Sequence, residues 1–532
     1  MKQKFLKTKI SLVAMASIMV VGCNDLETAP MGSYVTSDQK ENVVAQNPEM
    51  ISASVAGITA MFSQYGKAIP ASFGHNDIGY PCIMLQFDSR GTDLVSTNIG
   101  YNWFAAGVTY EDLIYTGRAT VLAWNTLYNQ IYSANQVAAV INPETDDATS
   151  QFYLAQALGI RAFDYFMLAQ IYQQTYKGNE SKPCVPIITD ANADEAATNG
   201  CARSTVQEVY DQIMSDLNKA ASLLEASGME RSDKRYLSKE VVYGLRARVE
   251  LVMGNWAAAI DDADKAIAGS GAPYSIAEVS TPGFNDIDDH AWMWGILIAE
   301  TDRVVTSGIV NFPSHMGSLN YGYASVGAWR TISKSLFDEI PATDVRKGWW
   351  LDANGQSANL DDNMKKQAAA YGCPAYTQMK YGPYQGVMAQ STNASDIPLM
   401  RVEEMYLIKA EAEAMNGNPA AGAATLQDFV RTYRNPAYTC KAATAEGVQE
   451  AVWLQRRIEL WGEGLTWFDI MRLKKGVDRR GAGFEPSYVF NIPAGDPALI
   501  YRIPQSEIAA NPLISEDQNN PSVSLPTPVT DN

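Results

Sequence analysis

The chain has 532 residues, 46% hydrophobic and 19% charged, enough for one large domain or about three ordinary ones. Its 41 Lys plus Arg face 59 Asp plus Glu, a formal charge of −18, and loss of the four lysines in the acid-free residues 1–22 takes it to −22. That balance excludes nucleic acid as the partner, because binding there depends on cations neutralising phosphates. Three histidines (His75, His290, His315) argue against a multi-His metal site, while 27 Tyr, 15 Phe and 11 Trp argue against disorder.

The N-terminus reads as an export signal. A basic stretch, Met1–Lys9, precedes the apolar Ile10–Val21 and then Gly22-Cys23. Twelve helical residues rise about 18 Å, short of the roughly 20 residues that cross hydrocarbon. Residues 1–22 are therefore expected to be a signal peptide, not an anchor helix. Val20-Val21-Gly22-Cys23 resembles a bacterial lipobox, which makes Cys23 the expected acylated first residue of the mature protein. The acidic Asn24-Asp25-Leu26-Glu27 behind it resembles the surface-export signal of Bacteroidetes lipoproteins. Beyond residue 23 the longest apolar run is Ala291–Ala299, too short for a second span. Five further cysteines remain, of which Cys184 and Cys201 bracket a polar loop and could pair in an exported protein. No C-x-x-C, H-E-x-x-H, Walker A or G-x-G-x-x-G pattern occurs, and no cofactor is expected.

Helical periodicity dominates the chain from about residue 44. Four apolar stripes run Ile51–Tyr65, Trp124–Ala138, Phe152–Tyr172 and Val206–Leu224, the last preceded by Ser204 with Gln207 as an expected capping box. Val241, Leu245, Val249 and Val252 line a helix ending at Gly254-Asn255, and Trp256, Ala259, Ala263 and Ala266 line the next. Small residues at those offsets let two helices approach closely, and the pair resembles half of a tetratricopeptide unit. Glu403–Asn416 and Ala420–Arg434, joined through Gly417-Asn418-Pro419, form a looser second copy. The reading is a mainly α, tetratricopeptide-like scaffold of helical pairs over about 44–268 and 401–480. An irregular, aromatic-rich insertion at about 269–400 and a Pro-studded extended tail at 481–532 complete a single domain over 23–532.

At this point the residues match a known family. Arg401-Val402-Glu403-Glu404-Met405-Tyr406-Leu407-Ile408-Lys409-Ala410-Glu411-Ala412, Gln455-Arg456-Arg457-Ile458-Glu459-Leu460 and Gly462–Arg472 resemble the SusD/RagB family of surface lipoproteins. Ile503-Pro504-Gln505-Ser506-Glu507-Ile508 near the end fits, as do Val185-Pro186-Ile187-Ile188 and Asp344-Val345-Arg346 upstream. Gln455, where an acid is usual, and Leu465-Thr466, where Arg is commoner, depart from the pattern. The resemblance implies a tetratricopeptide-like core, an irregular ligand-facing half, and a role as lid on a SusC-like TonB-dependent outer-membrane transporter. It also implies a glycan ligand and a lipid-anchored protein facing the cell exterior.

A sugar offers C–H faces to flat rings and hydroxyl edges to amides and carboxylates. Tyr101-Asn102-Trp103, on a Gly-rich loop, has a stacker–amide–stacker order, and Tyr321, Tyr323 and Trp329 form a second cluster inside the insertion. These six are the expected ligand-binding residues. Trp292 and Trp294 are expected in a buried strand, and Trp349 and Trp350 are left unplaced. Arg456, Arg457, Glu459, Glu463, Asp469 and Arg472 read as buried ion pairs pinning the last helices. Asp286, Asp288 and Asp289 could hold Ca²⁺, although a solvated acidic loop is the commoner outcome, and no metal site is expected. No local motif proposes the carboxylate pair of a glycosidase. The expected function is non-catalytic capture of oligosaccharides for import. A peptide-binding lipoprotein of the same uptake type is the alternative, and a lipid-anchored glycoside hydrolase the more distant one.

Overall fold

A computed structural model describes residues 37–97 and 101–531. The signal segment and Cys23 lie outside the described residues. The scaffold is built from α1 (Tyr80–Arg90), α2 (Arg118–Ala138), α3 (Ala148–Tyr172), α4 (Val206–Ser227), α5 (Lys239–Met253) and α6 (Trp256–Ala268). It continues with α7 (Val402–Met415), α8 (Pro419–Tyr433), α9 (Ala445–Glu459) and α10 (Thr466–Arg472). Successive helices from α2 to α8 pack on one another, α6 meeting α7 across the whole intervening insertion. This is the helical-pair architecture that the apolar stripes dictate, since none of these faces is buried alone.

Local sequence explains the boundaries. Asp147 caps α3 by accepting the Ser150 N–H at 2.7 Å. Every residue of α3 from Phe152 to Tyr172 is buried, as expected of a helix apolar all round. The capping box of α4 belongs to Thr205 and Glu208, one residue on from the Ser204–Gln207 pair expected from sequence. Both pairs have the right chemistry, and only the chain path selects between them. Gly254 ends α5 in the left-handed region at φ 80°, where a side chain would be strained, and so permits the reversal into α6. Ala259, Ala263 and Ala266 of α6 are wholly buried, the close approach their size allows.

The insertion contains no helix longer than the nine residues of Asp362–Ala370 among the described residues. Three short antiparallel strand pairs punctuate the chain: β1 (Leu94–Val95) with β3 (Thr331–Ile332), β2 (Trp292–Ile296) with β4 (Ile397–Arg401), and β5 (Val477–Asp478) with β6 (Asn491–Ile492). All five residues of β2 are buried, so Trp292 and Trp294 lie in the core, as do Trp349 and Trp350. The Trp349 indole donates to Val279 O at 2.7 Å.

A buried charge network ties insertion to scaffold. Glu459 accepts from Arg346 at 3.1 Å, Arg401 at 3.1 Å and Arg434 at 2.7 Å. Glu463 accepts from Arg401 at 2.8 Å and Lys380 at 2.6 Å. Asp469 bridges Arg456 at 2.7 Å and Arg472 at 2.6 Å, and Arg457 reaches Asp93 at 2.6 Å. Burial alone would raise the Glu459 carboxyl, but the guanidiniums of Arg434, Arg401 and Arg346 hold it well below the usual range. These reactive-looking residues are thus structural. Among the described residues no helix is long and apolar enough to cross a membrane.

Candidate functional site: an exposed aromatic platform

The β1–β3 pairing sets Leu94 opposite Ile332 and Val95 opposite Thr331. Residues 101–104 follow one strand and residues 321–330 lead into the other, so two segments more than two hundred residues apart in sequence become neighbours. The rings of Tyr101 and Tyr323 then lie 6.2 Å apart, 32° between planes. Tyr101 is 60% exposed, Tyr321 45% and Trp103 39%. Phe73, 47% exposed, extends the same surface through Tyr65, whose ring lies 5.3 Å from it and 6.3 Å from His75.

The six sequence candidates divide by depth. Tyr101, Trp103 and Tyr321 present rings to solvent, and Trp329 is half-buried with its indole N–H enclosed and unpartnered among the described residues. Asn102 and Tyr323 lie beneath. The Asn102 amide is spent inside the chain: it donates to Ser96 Oγ at 3.2 Å and to Thr97 O, and accepts from the Phe104 N–H at 3.1 Å and from Arg330 at 3.1 Å. It shapes the loop and leaves no donor for a ligand. Tyr323 forms the floor, its ring stacked on His315 at 4.8 Å and 17°.

That floor explains the platform's rigidity. The Tyr323 hydroxyl meets His75 Nδ1, while the His75 ring stacks on Trp103 at 4.8 Å and 27°. Burial pushes the Tyr323 hydroxyl above its ordinary pKa; a hydrogen bond with Trp103 opposes this, and the nearby hydroxyls of Tyr65, Tyr101 and Tyr321 add to it. His315 Nε2 faces His75 O at 2.9 Å. Burial, with the Arg330 charge beside it, lowers His315 to about 3, so the ring is neutral at ordinary pH. Arg330 lies below, its Nε donating to His315 O at 2.9 Å and its pKa lowered by burial to about 10. Trp103 and Tyr323 are held by stacking and by the contact with His75 before any ligand arrives, so binding would order few side chains there.

Sequence reasoning missed Phe73, His75 and Tyr65. Phe73-Gly74-His75 has the same aromatic–glycine signature as the other clusters, and Gly74 is needed there: a Cβ would sit 3.1 Å from the Trp103 ring. Gly322, between Tyr321 and Tyr323, is buried and has no room for a side chain: a Cβ there would lie 2.5 Å from Ser314 Cα. Asp286 and Asp288 are exposed, Asp286 capping the Asp288 N–H at 2.9 Å, and Asp289 accepts from the Tyr274 hydroxyl. No group of three His, Cys, Asp or Glu side chains is placed to hold a metal among the described residues. Cys184 and Cys201 are both free thiols.

A family model described as "Starch-binding associating with outer membrane" matches residues 85–251, and one for the SusD family matches residues 349–521. SusD-like protein P2 of Formosa agariphila is 24% identical over 520 residues, covering 91% of this chain and 94% of that protein. A SusD-like carbohydrate binding protein from Bacteroides vulgatus superposes with a TM-score of 0.73 at 24% identity, covering 89% of this chain and 98% of that one. A SusD superfamily protein from Bacteroides thetaiotaomicron gives 0.68 at 22% identity, covering 92% and 100%. Together the two family models span more than half of the sequence, in the order in which its motifs occur. The chain belongs to the SusD/RagB family.

Proposed function

We propose that this protein is a surface-tethered, non-catalytic glycan-binding lipoprotein that hands oligosaccharides to a SusC-like TonB-dependent outer-membrane transporter. The observation that carries the reading is the convergence of Tyr101, Trp103, Tyr321 and Phe73 as solvent-facing rings on a hydrogen-bonded floor. Pyranose rings lie flat on such faces, and each good stack contributes on the order of 1 kcal/mol beyond area burial. A peptide could lie on the same rings, and the glycan arm and a peptide arm of the titration separate the two ligands. Hydrolysis would need two carboxylates facing the bound sugar. Asp77, linked to the platform through Arg118, is buried and accepts the Ala68 and Ile69 N–H groups at 3.2 and 3.0 Å.

The lipobox and the family's outer-membrane association support anchoring through Cys23. The carbohydrate-binding description of the Bacteroides vulgatus relative supports the ligand class. Calorimetric titration with a glycan panel tests the reading: micromolar-range binding that vanishes in Trp103→Ala/Tyr321→Ala without loss of folding is expected. New reducing ends accumulating in the same mixtures would make the protein an enzyme. Pull-down from detergent-solubilised outer membranes tests the partner; recovery without any barrel protein would count against it.

A further inference from the structure

Beside the platform, on the side of Tyr65, opens a groove of about 300 Å³ whose lining includes Tyr65, Lys67, Arg235, Asp302 and Arg303. Its lining carries three cations, Lys67, Arg235 and Arg303, and one carboxylate, Asp302. Elsewhere near the surface Arg480 holds Asp478 and Arg502 holds Glu516. In the groove Arg235 is likewise neutralised by Asp233 at 2.9 Å. Arg303 and Lys67, however, make no ion pair or side-chain hydrogen bond with any described residue. The Asp302 carboxylate is turned to the Ala299 N–H at 2.8 Å instead. Arg303 and Lys67 therefore stand without a direct ion-pair partner at the edge of the aromatic surface, and Asp302 is the one carboxylate lining the groove.

Arg303 is also positioned. Its guanidinium carbon lies 5.4 Å from the Tyr65 ring centroid and 5.6 Å from that of Phe73. Both rings attract the guanidinium by cation–π contact, and its N–H groups make no side-chain hydrogen bond with a described residue. A guanidinium presented in this way offers a fork matched to a carboxylate or sulfate. Phe73, whose ring it covers, is part of the platform.

We propose that the ligand taken by this surface is an acidic glycan, its carboxylate or sulfate oxyanions held by Arg303 with Lys67 while its sugar faces lie on Trp103 and Tyr101. The inference rests on the glycan reading of the platform and narrows it to one substrate class. The fork over the edge-to-face pair of Tyr65 and Phe73 selects for charge, and the rings of Trp103 and Tyr101 select for a pyranose face. Neutral glycans lose the first and acidic peptides lose the second.

The test uses the full chain in detergent and matched pairs of polysaccharides: uronic-acid polymers with their carboxyl-reduced forms, and sulfated galactans with their desulfated forms. Acidic peptides form a further arm. Retention of acidic but not neutralised members is expected, weakened about tenfold or more by Arg303→Gln. Arg303→Lys, which keeps charge but not the fork, is expected to recover part of the loss, and ~0.5 M salt to mimic it. Which pair is retained separates carboxylate from sulfate. Equal retention of neutral and acidic members, unchanged by Arg303→Gln, overturns this inference and leaves the glycan reading intact. Retention of acidic peptides alone, or of nothing in the panel, overturns both.

Discussion

Two sets of aromatic rings in this molecule have similar composition and opposite fates. Trp292, Trp294, Trp349 and Trp350 are at most 2% exposed, and the last three meet other rings edge-on. Trp294 stands at 89° to Phe62 and to Phe163, each 5.2 Å away, and Trp350 at 85° to Trp461. Trp103 has one stacked partner, His75, and Tyr101 one tilted partner, Tyr323. A ring enclosed by neighbours stabilises the fold, and a ring with an open face is available to a ligand. The charged residues teach the converse. Glu459 and its arginines, fully buried, brace the fold, whereas Arg303, exposed and unpaired, borders the platform.

The comparison breaks most severely at Glu459. Glu459→Gln leaves Arg346, Arg401 and Arg434 buried around a neutral group and is expected to cost about 3–5 kcal/mol. Urea titration reads this directly, and a loss below ~1 kcal/mol would show that the network is not holding insertion to scaffold. Trp294→Ala is expected to cost a similar ~3–5 kcal/mol while leaving glycan affinity per folded molecule unchanged.

His315 sharpens the picture through pH. Its folded pKa is near 3 and its unfolded value near 6.5, so between these values the unfolded chain binds the extra proton. This contribution to stability is complete above about pH 6.5 and falls with acidification by up to about 1.4 kcal/mol per pH unit. The pH 7-to-5 slope of unfolding free energy is therefore expected to be shallower in His315→Asn, measured by denaturation at each pH. The smallest effect is expected at Tyr101, more than half exposed: Tyr101→Ala should change stability by less than ~0.5 kcal/mol and yet weaken glycan binding.

Much of the scaffold was legible because its helices obey one period. The stripe over Val206–Leu224 and the Gly254 reversal each appear in the sequence as they appear in space. The charges of residues 456–472 read as buried ion pairs, but their partners Arg346, Lys380, Arg401 and Arg434 are set by tertiary contact. The site was only half legible. Tyr101, Trp103 and Tyr321 were marked by glycine-flanked aromatics, but depth is set by tertiary contact: Asn102 turned inward to Arg330, and Tyr323 became the floor. Phe73 and His75 join the surface only through the folded path of the residue 65–75 segment. Arg303 carries no local signal, because being unpaired is a property of its neighbours.

The central claim is that open-faced rings capture sugar while enclosed rings and buried charges hold the fold. Isothermal titration of a cognate glycan into Tyr101→Ala/Trp103→Ala/Tyr321→Ala, alongside its thermal unfolding curve, tests that most directly. The account predicts binding heat abolished with the unfolding transition kept cooperative and shifted by a few degrees at most. Full affinity in the triple variant would contradict it.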